Sequence, residues 1–198
     1  MRKKASKENK IDVSYSLDEL VQERNRVRHK SQYVRTLKST VGTLLVVSAI
    51  AVLVATLWLP VLQIYGNSMS PTLKAGDVVL SVKGNNYKTG DIIAFYYNNK
   101  ILVKRVIAGP GDWVFIDDDG VVYVNGEEIE EPYVSERSIG QTDIEYPYQV
   151  PEDRWFVMGD HRSVSMDSRV KAIGPVAEEM IVGKLVGRVW PLNKLSGI

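Results

Sequence analysis

The chain has 198 residues, with 25 Lys and Arg against 24 Asp and Glu for a net charge of +1, and it contains no cysteine. The missing thiols exclude disulfides, thiolate nucleophiles, iron–sulfur clusters and cysteine-ligated zinc. Two histidines, His29 and His161, are too few for a histidine-rich metal site, so any histidine-based catalysis has to use one of them.

The near-neutral total conceals a division. Residues 1–38 hold eleven basic and five acidic side chains, a net of +6, whereas the remaining 160 residues carry 14 basic and 19 acidic ones, a net of −5. Between Lys38 and Lys74 lie 35 residues without a single Asp, Glu, Lys or Arg. The opening basic segment, residues 1–40, includes SLDELVQERNRVRHK, in which Ser16 stands as a helix cap with Glu19 three residues on. That stretch suits a short helix near anionic lipid, and it suits a disordered tail equally well.

From Leu44 to Ile64 the sequence reads LLVVSAIAVLVATLWLPVLQI. About twenty apolar residues form a helix that spans roughly 30 Å of hydrocarbon, which predicts a membrane-spanning helix within residues 41–64. A buried core helix would show a polar face, and a cleavable leader would have a shorter apolar run followed by a small-residue site. Arg24, Arg26, Arg28, Lys30, Arg35 and Lys38 precede the run, and no basic residue follows it until Lys74. Lys and Arg beside a membrane helix are retained in the cytoplasm, so the amino terminus is expected inside and residues 65–198 outside. Trp58 and Tyr65 suit interfacial anchors.

Beyond Tyr65 the pattern becomes short β-branched and aromatic runs separated by Gly, Asn, Asp and Pro. Strands are predicted at 78–82, 91–97, 100–108, 113–116, 121–124, 154–158 and 182–190, with hairpin turns at Asn98-Asn99, Asp119-Gly120 and Asn125-Gly126. The fold class is therefore mainly β: one amino-terminal membrane helix followed by an antiparallel, barrel-like or sandwich domain. Residues 127–153 read as a long excursion without a clear period. The acidic run Asp117, Asp118, Asp119, Glu127, Glu128, Glu130 and Glu131 lacks the spacing of a calcium loop and reads as a solvated hairpin face.

Three segments carry the polar chemistry. The first, YGNSMSPTLKAGD, places Ser68 a few residues past the apolar run. A serine hydroxyl is a weak nucleophile without a base, and with histidine nearly absent a lysine is the natural candidate, provided that burial leaves it neutral. Lys104 meets that demand best. It lies inside the apolar strand ILVKRVIA, where alternation puts it on one face with Leu102 and Val106, and a two-residue turn at Asn98-Asn99 puts Ile93 directly across from it. Alternation alone leaves equal room for an edge-strand lysine pointing into water. The third segment, GDHRSVSMDSR, follows the strand RWFVM and by composition is no more than a polar loop held by an Asp/Arg pair.

GNSMSPTL, GDIIAFYY, VKRVIAGPGD and GDHRSVSMDSR, in that order behind one amino-terminal helix, resemble the successive motifs of the bacterial type I signal peptidases, and the single anchor resembles the Gram-positive members. The resemblance implies a membrane-bound serine endopeptidase that removes signal peptides from exported preproteins and needs no metal or cofactor. It implies Ser68 as nucleophile, Lys104 as general base, Ser165 as a hydroxyl orienting the lysine nitrogen, Asp167 paired with Arg169 to hold the loop, and Asp160 as support. The Ser68 N–H would bind the oxyanion. Some members add a hydroxyl two residues before the nucleophile, where this chain has Gly66. His161 stands where many members have Asn; relatives that use a histidine base lack the lysine, which is present here, so His161 is read as structural. The expected partners are signal-peptide-bearing preproteins and the lipid bilayer, with no nucleic acid. Two other readings compete: a self-cleaving repressor-type Ser/Lys protease, which would carry a soluble DNA-binding domain in place of the helix, and a membrane-anchored β module that binds a partner without catalysis.

Overall fold

The computed structural model describes residues 17–194, 196 and 197. Ser16, the expected cap, lies outside them. The chain from Leu17 to Trp58 forms one continuous helix, α1. Its last twenty residues, Ser39 to Trp58, contain no charged side chain, and by length and composition α1 is sufficient to cross a membrane. The helix stops six residues short of the predicted end at Ile64. Pro60 is the reason: it offers no backbone N–H and disfavours helical geometry at Leu59, so residues 61–63 leave the helix and pair as a strand instead.

The remainder is a β unit. Its strands are β1 (Val61–Gln63), β2 (Val78–Val82), β3 (Ile92–Tyr97), β4 (Lys100–Ala108), β5 (Trp113–Ile116), β6 (Val122–Val124), β7 (Glu127–Glu128), β8 (Tyr148–Gln149), β9 (Arg154–Met158), β10 (Val176–Ala177), β11 (Ile181–Trp190) and β12 (Ser196–Gly197). They form two antiparallel sheets. The larger runs β1-β2-β11-β3-β4-β9-β10 with β12 beside β11, and its two ends do not pair with each other, so no barrel closes. The smaller runs β7-β6-β5-β8. All seven predicted strands are present; β1, β7, β8, β10 and β12 are too short to carry a periodic signal, and four of them have only two residues.

The large sheet is covered on both faces. Along β3, Ile93 and Phe95 enter a cluster with Val106, Trp155 and Val157, whereas Ile92 and Ala94 enter another with Met69, Leu73, Val79 and Leu185. Successive side chains of a strand point to opposite faces, and burial on both is why this strand reads as a continuous apolar run. The β3–β4 hairpin turns at Asn98 and Asn99, both at positive φ as a two-residue turn of this hand requires. The resulting register sets Ile93 opposite Lys104 and Ile92 opposite Arg105. Two adjacent cations are thereby delivered to opposite faces of a sheet that is buried on both.

Candidate active site

Ser68 lies in the loop between β1 and β2, which closes on itself. The Ile64 N–H donates to the Asp77 carbonyl at 2.8 Å, and the Gly76 N–H donates to the Ile64 carbonyl at 2.9 Å. Turns from Ser70 back to Asn67 and from Leu73 back to Met69 wind the segment between them, and Met69 and Leu73 are fully buried pegs. The serine that follows Asn67 is thus held half-buried beside an apolar anchor. Among the described residues the Ser68 N–H has no hydrogen-bond acceptor.

Lys104 reaches the same point from the middle of β4. Its side chain is 3% exposed, and its Nζ lies 2.6 Å from Ser68 Oγ. An ammonium there donates to the hydroxyl; a neutral amine accepts the hydroxyl proton along the same line. Burial strips hydration from the charged form and lowers the lysine pKa from its ordinary 10.5 to about 8. Asp167 opposes that drop, Arg169 reinforces it and Asp160 opposes it, in that order of size. The choice that alternation left open is settled for burial: Lys104 shares its side of the sheet with Ile93 and is no edge-strand guard.

The third wall is the loop after β9. Asp167 and Arg169 form a bidentate pair, 2.8 Å from Nε to Oδ1 and 2.8 Å from Nη2 to Oδ2, and both side chains are fully buried. Asp167 also accepts the Gly159 N–H at 2.9 Å. Asp160 accepts Arg105 Nε and Nη2 at 2.9 and 2.7 Å, together with the Thr72 hydroxyl at 2.5 Å. One carboxylate therefore joins the strand that carries the lysine, the loop that carries the serine and the loop that walls the site. The His161 N–H donates to the Ser68 carbonyl at 3.0 Å, a backbone contact that fastens the serine, whereas its imidazole Nδ1 is buried without a partner.

Packing here is close enough to demand glycine at position 159. A Cβ on Gly159 would stand 2.2 Å from Ser165 Oγ and 2.5 Å from the Ser68 carbonyl oxygen. Ser165 itself is fully buried against this glycine, and its hydroxyl has no hydrogen-bond partner. The implied bond from Ser165 to the Lys104 nitrogen is therefore not formed. Gly66 has a φ of +80° with open space around its Cβ direction, so a side chain there meets no neighbour but strains the backbone.

Several residues at the site had no role assigned from the sequence. Glu131, counted among the solvated acids, instead makes a buried bidentate ion pair with Arg162, including a 2.8 Å bond from Nη1 to Oε2. Tyr133 lies under the Arg105 guanidinium, 3.8 Å from carbon to ring centroid, and donates to Glu131 at 3.1 Å. Arg169 donates to the Ile139 carbonyl at 2.8 Å, and Gly140 leaves no room for a Cβ beside Arg162 and Arg169. The signal available was the arginines themselves: three of them stand in apolar or tightly turned segments, and a buried guanidinium requires partners somewhere else in the chain.

A serine hydroxyl in contact with a buried, readily deprotonated lysine can attack a carbonyl, with a free N–H beside it for the resulting oxyanion. Comparison with known proteins gives the family. The family model described as "Signal peptidase, peptidase S26" matches residues 37–190. Signal peptidase I T of Bacillus subtilis (strain 168) is 37% identical over 143 residues, covering 66% of this chain and 73% of its own length. Signal peptidase IB of Staphylococcus aureus (strain Mu50 / ATCC 700699) is 36% identical over 154 residues, covering 67% of this chain and 78% of its own. A solved structure of a signal peptidase I from Enterococcus faecalis V583 is 31% identical with a TM-score of 0.43, covering 50% of this chain and 97% of that one. The chain belongs to the signal peptidase family, peptidase S26, and is a protease that cleaves signal peptides.

Proposed function

We propose that Ser68 and Lys104 are the catalytic pair of this peptidase. Neutral Lys104 takes the proton of the Ser68 hydroxyl as the oxygen attacks the carbonyl of a small residue at the end of a signal peptide. The Ser68 N–H steadies the oxyanion, a contribution of about 3 kcal/mol for donors of this kind. The protonated lysine then returns its proton to the leaving amine, and water, activated by the same lysine, releases the acyl group from the serine. The observation that carries the reading is the 2.6 Å contact between Lys104 Nζ and Ser68 Oγ, made by a lysine whose only hydrogen-bond partner among the described residues is that serine. A binding module has no use for a buried cation held against a hydroxyl and lacking a carboxylate partner of its own.

The amino terminus is assigned to the cytoplasm and residues 65–198 to the outer side, on the basic flank that precedes the apolar stretch. Only nine residues lie between the end of α1 at Trp58 and Ser68, a tether of at most about 36 Å fully extended. A preprotein whose signal peptide lies in the bilayer with its cleavage site at the outer surface is thereby searched for in a confined layer. Substrates ending in Ala-x-Ala are the expected class. Preprotein cleavage by the purified full chain tests the assignment: Ser68→Ala and Lys104→Ala each lower the rate at least about 10³-fold, as removal of a nucleophile or its base does elsewhere. Wild-type rates from both variants would remove the pair from the mechanism.

A further inference from the structure

We propose that Arg188 is a positioning residue for the nucleophile, brought to the serine loop by a bulge in β11. The inference rests on Ser68 being the nucleophile. Leu185 pairs with Ser81, Gly187 with Leu80 and Arg188 with Val79, so the register shifts by one residue between Leu185 and Gly187. Strict alternation from Leu185 would send Arg188 to the opposite face. The extra residue, Val186, reverses that parity: Arg188 sits across from buried Val79, on the face that Leu185 shares with Met69 and Leu73. A second shift directly after it, between Arg188 and Trp190, places Trp190 on the opposite face, where it is exposed.

Once on the inner face, the guanidinium grips both sides of the serine loop. Its Nη2 donates to the Thr72 carbonyl at 2.5 Å, and its Nε lies 3.3 Å from Asp77 Oδ2, with both side chains nearly buried. Asp77 in turn accepts the Lys74 N–H at 3.0 Å. Thr72 is four residues past Ser68, and its hydroxyl is the group bonded to Asp160. The loop is therefore held at Thr72 from two directions, by Asp160 through the side chain and by Arg188 through the main chain. With Met69 and Leu73 pegged in the core, this leaves the Ser68 hydroxyl little freedom to drift from Lys104. Arg188 touches neither the serine hydroxyl nor the lysine; it acts on the geometry between them.

The test uses the full chain in detergent with a signal-peptide substrate and reads kcat and KM separately, beside the thermal midpoint and the pH profile. Arg188→Met is expected to lower kcat by about 10- to 100-fold, the scale of a displacement near 1 Å at a reacting group, while KM stays within about threefold. The acid limb of its pH profile keeps its wild-type position, because burial, Asp167, Arg169 and Asp160 set the Lys104 pKa and Arg188 contacts none of these three residues. Arg188→Lys keeps a cation against Asp77 but cannot make both contacts from one nitrogen, and its kcat falls severalfold. Asp77→Asn leaves the Thr72 bond in place and costs less than Arg188→Met. The proposal is overturned if Arg188→Met or, should that variant fail to fold, Arg188→Lys retains wild-type kcat. It is equally overturned if the lost activity only follows the fraction unfolded. Ser68→Ala run in parallel separates the two readings: an active Ser68→Ala removes the nucleophile and this inference together, whereas an inactive one beside fully active Arg188 variants removes the inference alone.

Discussion

The two sheets handle charge in opposite ways. Residues 109–153, which contain the small sheet, carry thirteen acidic side chains and one basic one, Arg137. Their fully buried residues are nevertheless apolar: Val114, Ile116, Val122 and Val150. Around the large sheet the charges are inside. Asp77, Lys104, Arg105, Asp160, Arg162, Asp167 and Arg169 are all buried. Burying an ion costs several kcal/mol unless partners and hydrogen bonds repay it, so a cluster of this kind is retained where it positions or tunes chemistry. The acids of the small sheet cost nothing comparable and keep an exposed lobe soluble.

The two regions meet at the arginines. Arg105 stacks on Tyr133, Arg162 pairs with Glu131, and Arg169 takes the Ile139 carbonyl, so the excursion is clasped to the back of the site at three points. Glu131 is the member of the acidic lobe that crosses to the other regime, and it is where the contrast can be broken most sharply. Glu131→Gln leaves the Arg162 cation buried without a counter-ion and is expected to cost about 3–5 kcal/mol of stability, read as a fall in chemical-denaturation midpoint. Gly159→Ala pushes a methyl group against Ser165 and the Ser68 carbonyl and is expected to lower kcat by about 10²-fold, with a smaller loss of stability.

A change of the opposite sign comes from the base. Because the Lys104 pKa is lower in the folded chain than in the unfolded one, the unfolded chain binds more protons between about pH 8 and 10.5, and stability rises with pH across that window. At neutral pH the buried ammonium is a burden, so Lys104→Met is expected to abolish cleavage and raise stability by about 1–3 kcal/mol. The smallest effect belongs to the exposed acids. Asp118→Asn and Asp119→Asn, separately or together, are expected to leave stability within about 0.5 kcal/mol and kcat/KM unchanged. A large effect there would mean that the lobe's charge does more than face water.

Much of this was legible in the sequence because the signals were local. A strand such as KILVKRVIA announces itself, and the Asn98-Asn99 turn fixes the register that puts Ile93 across from Lys104. The order of the four motifs singled out Ser68 and Lys104 as the pair to propose before any coordinate. What stayed hidden was pairing across distance. Nothing near Glu131 in sequence distinguishes it from Glu127 or Glu130; its partner is 31 residues away. Thr72 and Asp160 are 88 residues apart, and Arg188 reaches Thr72 across 116. The bulge that turns Arg188 inward contradicts the alternation by which strands are read. The helix end misled for a different reason: VLQI is as apolar as the span before it, and only Pro60 marks the change from helix to strand.

The account depends most on Lys104 working as a neutral base because it is buried. The direct measurement is kcat/KM for a signal-peptide substrate across pH 6 to 10. The expected profile rises about tenfold per pH unit on its acid side and levels off with a midpoint near 8 as the lysine loses its proton. A rate that stays flat from pH 6 through pH 9, in a chain that Ser68→Ala still inactivates, would contradict it.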